Sequence, residues 1–470
     1  MFLETPSSFV KEYIEELNSS LSLIEPNFPL SKAQKAWLGF CLMGILLTNS
    51  LCWAKFERYS FGRYSVAALS WMFRLSKIPW DSLLCASTSL ILQKYQITSG
   101  FLVIDDTDKK RSKTTKNLYH TYKVYDKTTS GFFNGQTVVF ALLVTQDLTL
   151  PVAFSFYKPA PEYSGWFQQY RKLKDAGVSR KLRPPKPPLN PKFPTKIAVA
   201  ISLLQKYKQN HPATKVKGVF ADNLYGTKDF VDTTAALFQC QVISQIRNNQ
   251  KVMHRGREMS VESYFKREGV CSSLKVRGGK EVEIKYDCAR LFLKSHETKR
   301  FLVALKYEGE EEYRYLSASD LSWRGVDILR GFTLRWLVEV FFDYLKQYEG
   351  WGQATKQTGI EGSSRGMILS LLLDHCLLLH PQQQVRQKKK APIATVGSLR
   401  ERILAEHLLS HLQLLIHKPD KARYFERFTQ SVEELFSLRD SSKHMIGREL
   451  GRLESTPSLK YRAKKAFTYI

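Results

Sequence analysis

The spacing of apolar runs between residues 101 and 246 constrains the fold more than any other feature of this chain. "FLVID" (101–105) is a short apolar run that stops at acids. "QTVVFALLV" (136–144) and "LPVAFSFY" (150–157) follow, joined by the polar turn "TQDLT". Short runs rich in β-branched and aromatic residues read as strands. Next, "KIAVAISLLQKYKQN" has helical spacing, "VKGVFAD" (216–222) reads as a strand, "GTKDFVDTTAALFQ" as a helix and "QVISQI" (241–246) as a strand. Three strands, helix, strand, helix, strand is the order of a mixed α/β core with a hairpin at its beginning.

The flanks have other textures. Residues 1–95 read as helices, among them "PSSFVKEYIEELNSSLSLI" and "DSLLCASTSLILQKY". A proline-studded basic segment, "KPAPEYSGW" to "RPPKPPLNPKFP", is expected to be irregular and exposed. Residues 247–318 are polar and β-like, with Gly-Gly in "SLKVRGGKEVEIKYDCARLFL" expected as a hairpin turn. "PQQQVRQKKKAP" reads as a linker into a helix whose Ser398 and Glu401 fit a capping box, and a basic tail, "SLKYRAKKAF", follows. The expected units are therefore 1–95, helical; 96–246, the first part of the core; 247–318, β-rich; 319–380, helical and returning to the core; and 392–470, helical and basic.

With 470 residues, 43% of them hydrophobic, the chain can bury substantial cores. Its formal net charge of +27 points to a polyanionic partner, nucleic acid first and an anionic membrane surface second. No single long basic amphipathic helix supports the membrane reading. The apolar segment "AWLGFCLMGILLTNSLCWA" (36–54) is interrupted by Thr, Asn and Ser, as expected of a buried helix. Seven cysteines without a Cys-x-x-Cys pair read as reduced thiols of a cytoplasmic protein.

Three acidic points stand out. Asp105 and Asp106 end the first expected strand in "VIDDTD", and Asp222 ends the fourth in "FADNLYG". Glu339 lies in "GFTLRWLVEVFFDYLKQYEGWG" (331–352), a hydrophobic helix that also carries Arg335 and Lys346. At about 100° per residue, Arg335, Glu339 and Lys346 share one stripe, and Phe332 joins it. Charges placed among so many apolar residues must meet each other, a metal or a phosphate. Strand ends of an open α/β sheet gather ligand groups. Two strand-end aspartates and one helical glutamate suit hard divalent cations, and paired cations serve phosphodiester chemistry.

These motifs resemble those of the DDE transposases of bacterial insertion sequences, in the branch with a Tyr–Arg–Glu–Lys signature. Arg335, Glu339 and Lys346 match that signature in identity and spacing, and Phe332 holds the Tyr position. "IDDT" and "ADNLYG" look like the family's first and second aspartate motifs. The resemblance implies an RNase H-like mixed-sheet core with a β-rich insertion, flanked by helical N- and C-terminal domains. It gives Asp105, Asp222 and Glu339 the catalytic metal-ligand role, with Asp106 the alternative to Asp105. It implies two Mg²⁺ ions, for which Mn²⁺ can substitute, and DNA contacts from Phe332, Arg335 and Lys346. The implied partners are double-stranded DNA with terminal inverted repeats, target DNA and a second copy of the chain on DNA, with no membrane. A cut-and-paste route through a DNA hairpin, with Tyr313 or Trp323 stacking on a flipped base, is a further expectation. So are repeat recognition by the N-terminal helices, phosphate binding by "DKKRSKTTK" (108–116) and a bacterial, nucleoid-associated setting. The rival expectation is a sequence-specific DNA-binding protein that keeps the fold without the chemistry.

Overall fold

The computed structural model describes residues 6–60, 63–111, 118–126, 129, 131–266, 269–276, 280–354, 359–417 and 419–435. Five helices come first: α1 (Ser8–Ile24), α2 (Lys32–Thr48), α3 (Trp53–Tyr59), α4 (Val66–Leu75) and α5 (Trp80–Lys94). Helix α2 begins with a capping box in which Ser31 and Gln34 each satisfy the other's backbone N–H. It is buried from Trp37 to Thr48. Among the described residues no single helix is long and apolar enough to cross a membrane, and α2 and α3 meet at 90°.

The central strands are β1 (Ser99–Lys110), β2 (Tyr122–Asp126), β3 (Gly131–Val144), β4 (Thr149–Tyr157), β5 (Lys215–Ala221) and β6 (Gln241–Ile246). Helix α6 (Pro161–Asp175) follows β4, α7 (Lys196–Asn210) precedes β5, and α8 (Lys228–Phe238) joins β5 to β6. β1 is antiparallel to β3 and parallel to β5, which is parallel to β6, while β4 pairs with the far edge of β3. A hairpin of three antiparallel strands followed by two parallel crossovers is the RNase H-like order, and the core is mixed α/β as expected.

The β-rich stretch adds β7 (Lys251–His254), β8 (Arg257–Ser260), short α9 (Val261–Tyr264), β9 (Val270–Val276), β10 (Lys280–Leu293), β11 (Thr298–Tyr307) and β12 (Arg314–Ala318). β12 pairs antiparallel with β6, so these strands prolong the core sheet, in the order β2-β3-β1-β5-β6-β12-β11-β10-β7-β8. β9 and β10 pair antiparallel, while the expected Gly-Gly turn lies outside the described residues. Then come α10 (Gly325–Thr333), α11 (Leu337–Gln347), α12 (Gly359–Leu378), α13 (Pro381–Lys388), α14 (Val396–His417) and α15 (Lys421–Leu435).

Strand alternation assigns the two sheet faces. Leu102 and Ile104 of β1 pack with α7, α8 and the N-terminal helices, while Val103 packs with α10 and α11.

Four local expectations are corrected. β1 does not stop at its acids but runs on to Lys110, because β3 pairs with it as far as Gly135. The proline-studded segment contains α6, since Pro161 sits in the first turn, where no N–H is needed. The Gln-rich run expected as a linker starts α13 in the same way, with the His380 ring accepting from the Gln382 N–H. The helix expected to start at Ser398 starts earlier, because Thr395 Oγ1 accepts from the Ser398 N–H. Residues 112–116 of the run 108–116 and the basic tail lie outside the described residues.

Candidate active site

The acids gather where β5 ends and β1 continues. The last parallel pair is Ile104 with Ala221, so the next residues, Asp105 and Asp222, sit side by side at the sheet's crevice. Asp222 leads into a 3₁₀ turn, Asn223–Tyr225, and its side chain makes no capping bond there. Gly226 closes the motif because a Cβ would lie 2.4 Å from the Gln245 carbonyl oxygen of β6.

The opposite wall is the α10–α11 segment. The chain tightens into a 3₁₀ turn at Leu334–Trp336 between the two helices. In a 3₁₀ turn side chains at i and i+3 come close to eclipsing, so Phe332 and Arg335 stay on one side. Phe332 lies beneath Arg335 in the expected stripe: it is 5% exposed and packs in the core, with Arg335 Cζ 5.7 Å from its ring centre. Phe332 supports Arg335 from beneath, and the two line one cavity with Thr333 and Trp336. Arg335, Glu339 and Lys346 remain on the site side.

Arg335 joins the two walls. One guanidinium nitrogen donates to Asp105 Oδ2 at 3.0 Å, the other to Glu339 Oε1 at 2.9 Å. Burial pushes the Asp105 carboxyl up to about 7 against the pull of Arg335 and its own bond from the Asp106 N–H, and Asp106 and Asp222 push the same way. Glu339 is more open, its side chain 48% exposed. Two residues along β1, Thr107 Oγ1 accepts from Lys346 Nζ at 2.6 Å. Burial lowers the Lys346 pKa, and Asp108 and Asp343 oppose that shift.

Asp106 points to the other face. Its Oδ2 meets Lys196 Nζ at 2.5 Å and its Oδ1 accepts from Tyr225 Oη at 3.3 Å. Of the two adjacent aspartates, Asp105 is the one that shares a partner with Glu339. Thr107 was legible from alternation, lying two residues beyond Asp105. Lys196 was not, since nothing in "PTKIAV" marks a partner. Lys109, also on the Asp105 face, reaches the Trp351 carbonyl, and burial drives its ammonium down to about 6. Of the two aromatics expected near DNA, Tyr313 packs on the core under β11 and β12, and Trp323 lines a surface groove with Arg324 and Arg330.

The donor set is all carboxylate oxygen, which suits a hard divalent cation. The raised pKa of Asp105 marks a buried carboxyl short of positive charge, the deficit that a cation would fill. As the side chains stand, Arg335 supplies part of that charge, and no group of three His, Cys, Asp or Glu among the described residues is close enough to hold an ion.

Comparison with known proteins gives two findings. The family model for the DDE superfamily endonuclease matches residues 72–269, a span that holds Asp105 and Asp222 and stops before Glu339. No curated protein matches the chain. Among solved structures the chain is similar to piggyBac transposase in a synaptic complex with hairpin DNA. That likeness has a TM-score of 0.41 at 11% identity, over 95% of this chain and 87% of the other, too low to carry an argument.

Proposed function

We propose that the chain is a DNA transposase of the DDE type, cleaving and joining the ends of its own element by metal-dependent hydrolysis and transesterification. The observation that carries the reading is the Arg335 bridge. It draws Glu339 to Asp105 at the sheet edge where Asp222 ends β5. The match of residues 72–269 to DDE superfamily endonucleases supports it independently.

In this reading Asp105, Asp222 and Glu339 hold two Mg²⁺ ions, with Mn²⁺ able to substitute. Bound there, the ions would activate a water or 3′-hydroxyl and stabilise the departing oxygen. Arg335, released from its carboxylates, offers a forked contact to one phosphate, and Lys346 offers a point charge to another. The substrates are terminal inverted repeats and target DNA, held by a homodimer, with donor cleavage through a hairpin. Placement in the Tyr–Arg–Glu–Lys branch rests on Arg335, Glu339 and Lys346, since Phe332 stands where that branch has Tyr and lacks its hydroxyl.

The test is a linear DNA carrying the gene's own flanks, incubated with protein in Mg²⁺ or EDTA. The expected result is metal-dependent cutting at a pair of inverted repeats, lost in Glu339→Gln while DNA binding stays nearly intact. Parental cutting rates in that variant would refute the ligand assignment. A second reading, DNA binding without chemistry, is favoured by one observation: as the side chains stand, no three acids among the described residues are close enough to hold an ion. Tight, salt-sensitive binding with no cut in any divalent metal would select it.

A further inference from the structure

The segment from Lys158 to Lys196 is unlike the rest of the fold. It carries ten Lys or Arg residues, two acids and eight prolines in 39 positions. Its helix α6 buries no residue, so no core face explains its order. What holds the segment together is ring and cation packing. The Tyr163 and Trp166 rings lie 5.3 Å apart and the Trp166 and Tyr170 rings 5.2 Å apart. Arg183 and Lys186, on the returning proline-rich segment, sit over Tyr170 and Tyr163 at 5.0 and 5.5 Å. The Trp166 indole N–H donates to the Pro184 carbonyl at 2.9 Å, closing that segment on the helix. Prolines stiffen the return further. The result is a braced ridge whose Tyr163, Trp166 and Tyr170 rings pack on one another and whose Phe167, Lys172, Lys174, Arg180 and Lys181 are exposed.

The ridge borders the acid site. At its end Lys196 pairs with Asp106, the neighbour of Asp105. Leu224, two residues beyond Asp222, lines the same 270 Å³ cavity as Tyr163, Lys186 and Phe193. Arg171 lies over Tyr125 of β2, 5.5 Å from its ring centre. Arg335 and Lys346 approach the acids from the α11 face, and this ridge approaches from the α7 face.

We propose that residues 158–196 form a second phosphate-binding wall, which takes the backbone of duplex DNA flanking the acid site without reading its sequence. The inference rests on the DNA reading above and adds a surface to it. A preordered ridge loses little freedom when it binds, and its exposed ammonium groups displace counterions from the duplex. Contacts from these ammonium groups to phosphates carry no sequence information, so all sequences are held alike.

The experiment measures binding of an unrelated 30-bp duplex by anisotropy across a series of KCl concentrations. The probe variant is Lys172→Gln/Lys174→Gln/Lys181→Gln, and the control is Lys206→Gln/Lys215→Gln/Lys217→Gln. The control removes three exposed lysines at the other end of the sheet, where β5 starts. Each lost phosphate contact lowers the salt slope by about 0.9, so the probe variant should lose roughly 2–3 from the slope and at least about tenfold in affinity near 0.1 M salt. The control should keep the parental slope, and both should keep the parental melting temperature. If the parent binds and cuts DNA while the probe variant keeps its slope, the wall is wrong and the transposase reading stands. If the probe variant loses slope as expected but no metal supports cutting, the wall stands and the chemistry falls. Equal loss in both variants refutes the wall, because only net charge would then matter.

Discussion

Arg335 satisfies two carboxylates at once, whereas a second buried acid pair, Glu349 and Asp374, has no such bridge. Glu349 and Asp374 are buried against each other on the segment after α11 and on α12, and the nearest cation, Arg400, spends its donors on the Leu46 carbonyl. Burial pushes Glu349 well up and Asp374 up to about 7, as far as it pushes Asp105 against the pull of Arg335. The folded state then binds more protons than the unfolded chain between about pH 4 and pH 7. Stability contributed by the protonated Asp374 is present at low pH and is lost as pH rises through that window. Asp374→Asn removes the Asp374 titration and leaves an amide that can donate to Glu349. We expect it to flatten the decline and to stabilise the protein at pH 8 by about 1–3 kcal/mol. Urea midpoints from pH 5 to 8 measure this. A parental slope in the variant would show that the pair does not carry the pH dependence.

At the scale of elements, the position of α10 and α11 on the sheet decides whether the site forms. Gly331 permits the approach. A Cβ there would stand 2.7 Å from the Phe220 ring of β5, which is fully buried and stacked on Phe101. Gly331→Ala gains about 1 kcal/mol of helix propensity and overpacks a core that typically resists by about 1–3 kcal/mol. We expect a net loss of stability and a larger loss of cleavage, because α11 carries Glu339 away from Asp222. A variant more stable than the parent, with full cleavage, would contradict this. The same elements show how far the sequence could be read. Apolar runs announced β1, β3, β4, β5 and β6, because a strand buried on both faces reads as a continuous apolar stretch. The run-on of β1 through Asp105 to Lys110 was illegible, since its pairing partner lies more than 20 residues away. Helix α6 escaped for a different reason: with no buried face it leaves no apolar period to detect. The charged stripe of α11 was legible because acids and bases are costly among apolar neighbours, but the 3₁₀ turn that precedes it follows from packing alone.

The whole molecule shares its interior across the boundary expected at residue 95. One apolar cluster runs from Phe9 of α1 through the Leu102 and Ile104 face of β1 to Leu373 of α12 and Phe428 of α15. A buried chain of polar contacts crosses the same boundary. Tyr13 Oη and Ser87 Oγ lie 2.7 Å apart, Ser87 Oγ and His375 Nδ1 lie 2.7 Å apart, and His375 Nε2 is 3.0 Å from the Pro151 carbonyl oxygen. Burial lowers the His375 pKa to about 4, so the neutral ring donates to Pro151 and accepts from Ser87. Helices α1, α5 and α12 and strand β4 are thereby tied through groups that water cannot reach. Removing residues 1–95 would expose one apolar face of the sheet and most of α12, and would leave Ser87's partner unpaired inside a hydrophobic wall. A fragment starting at residue 96 should therefore aggregate, or should lack near-ultraviolet circular dichroism and a cooperative melt, and the parent should unfold across this boundary in one transition. A soluble fragment 96–435 with its own sharp transition would instead make the N-terminal helices a separable unit. If the chain behaves as one body, repeat recognition cannot swing on a flexible tether. DNA held by α1–α5 would then reach Asp105, Asp222 and Glu339 only along a path fixed by the sheet.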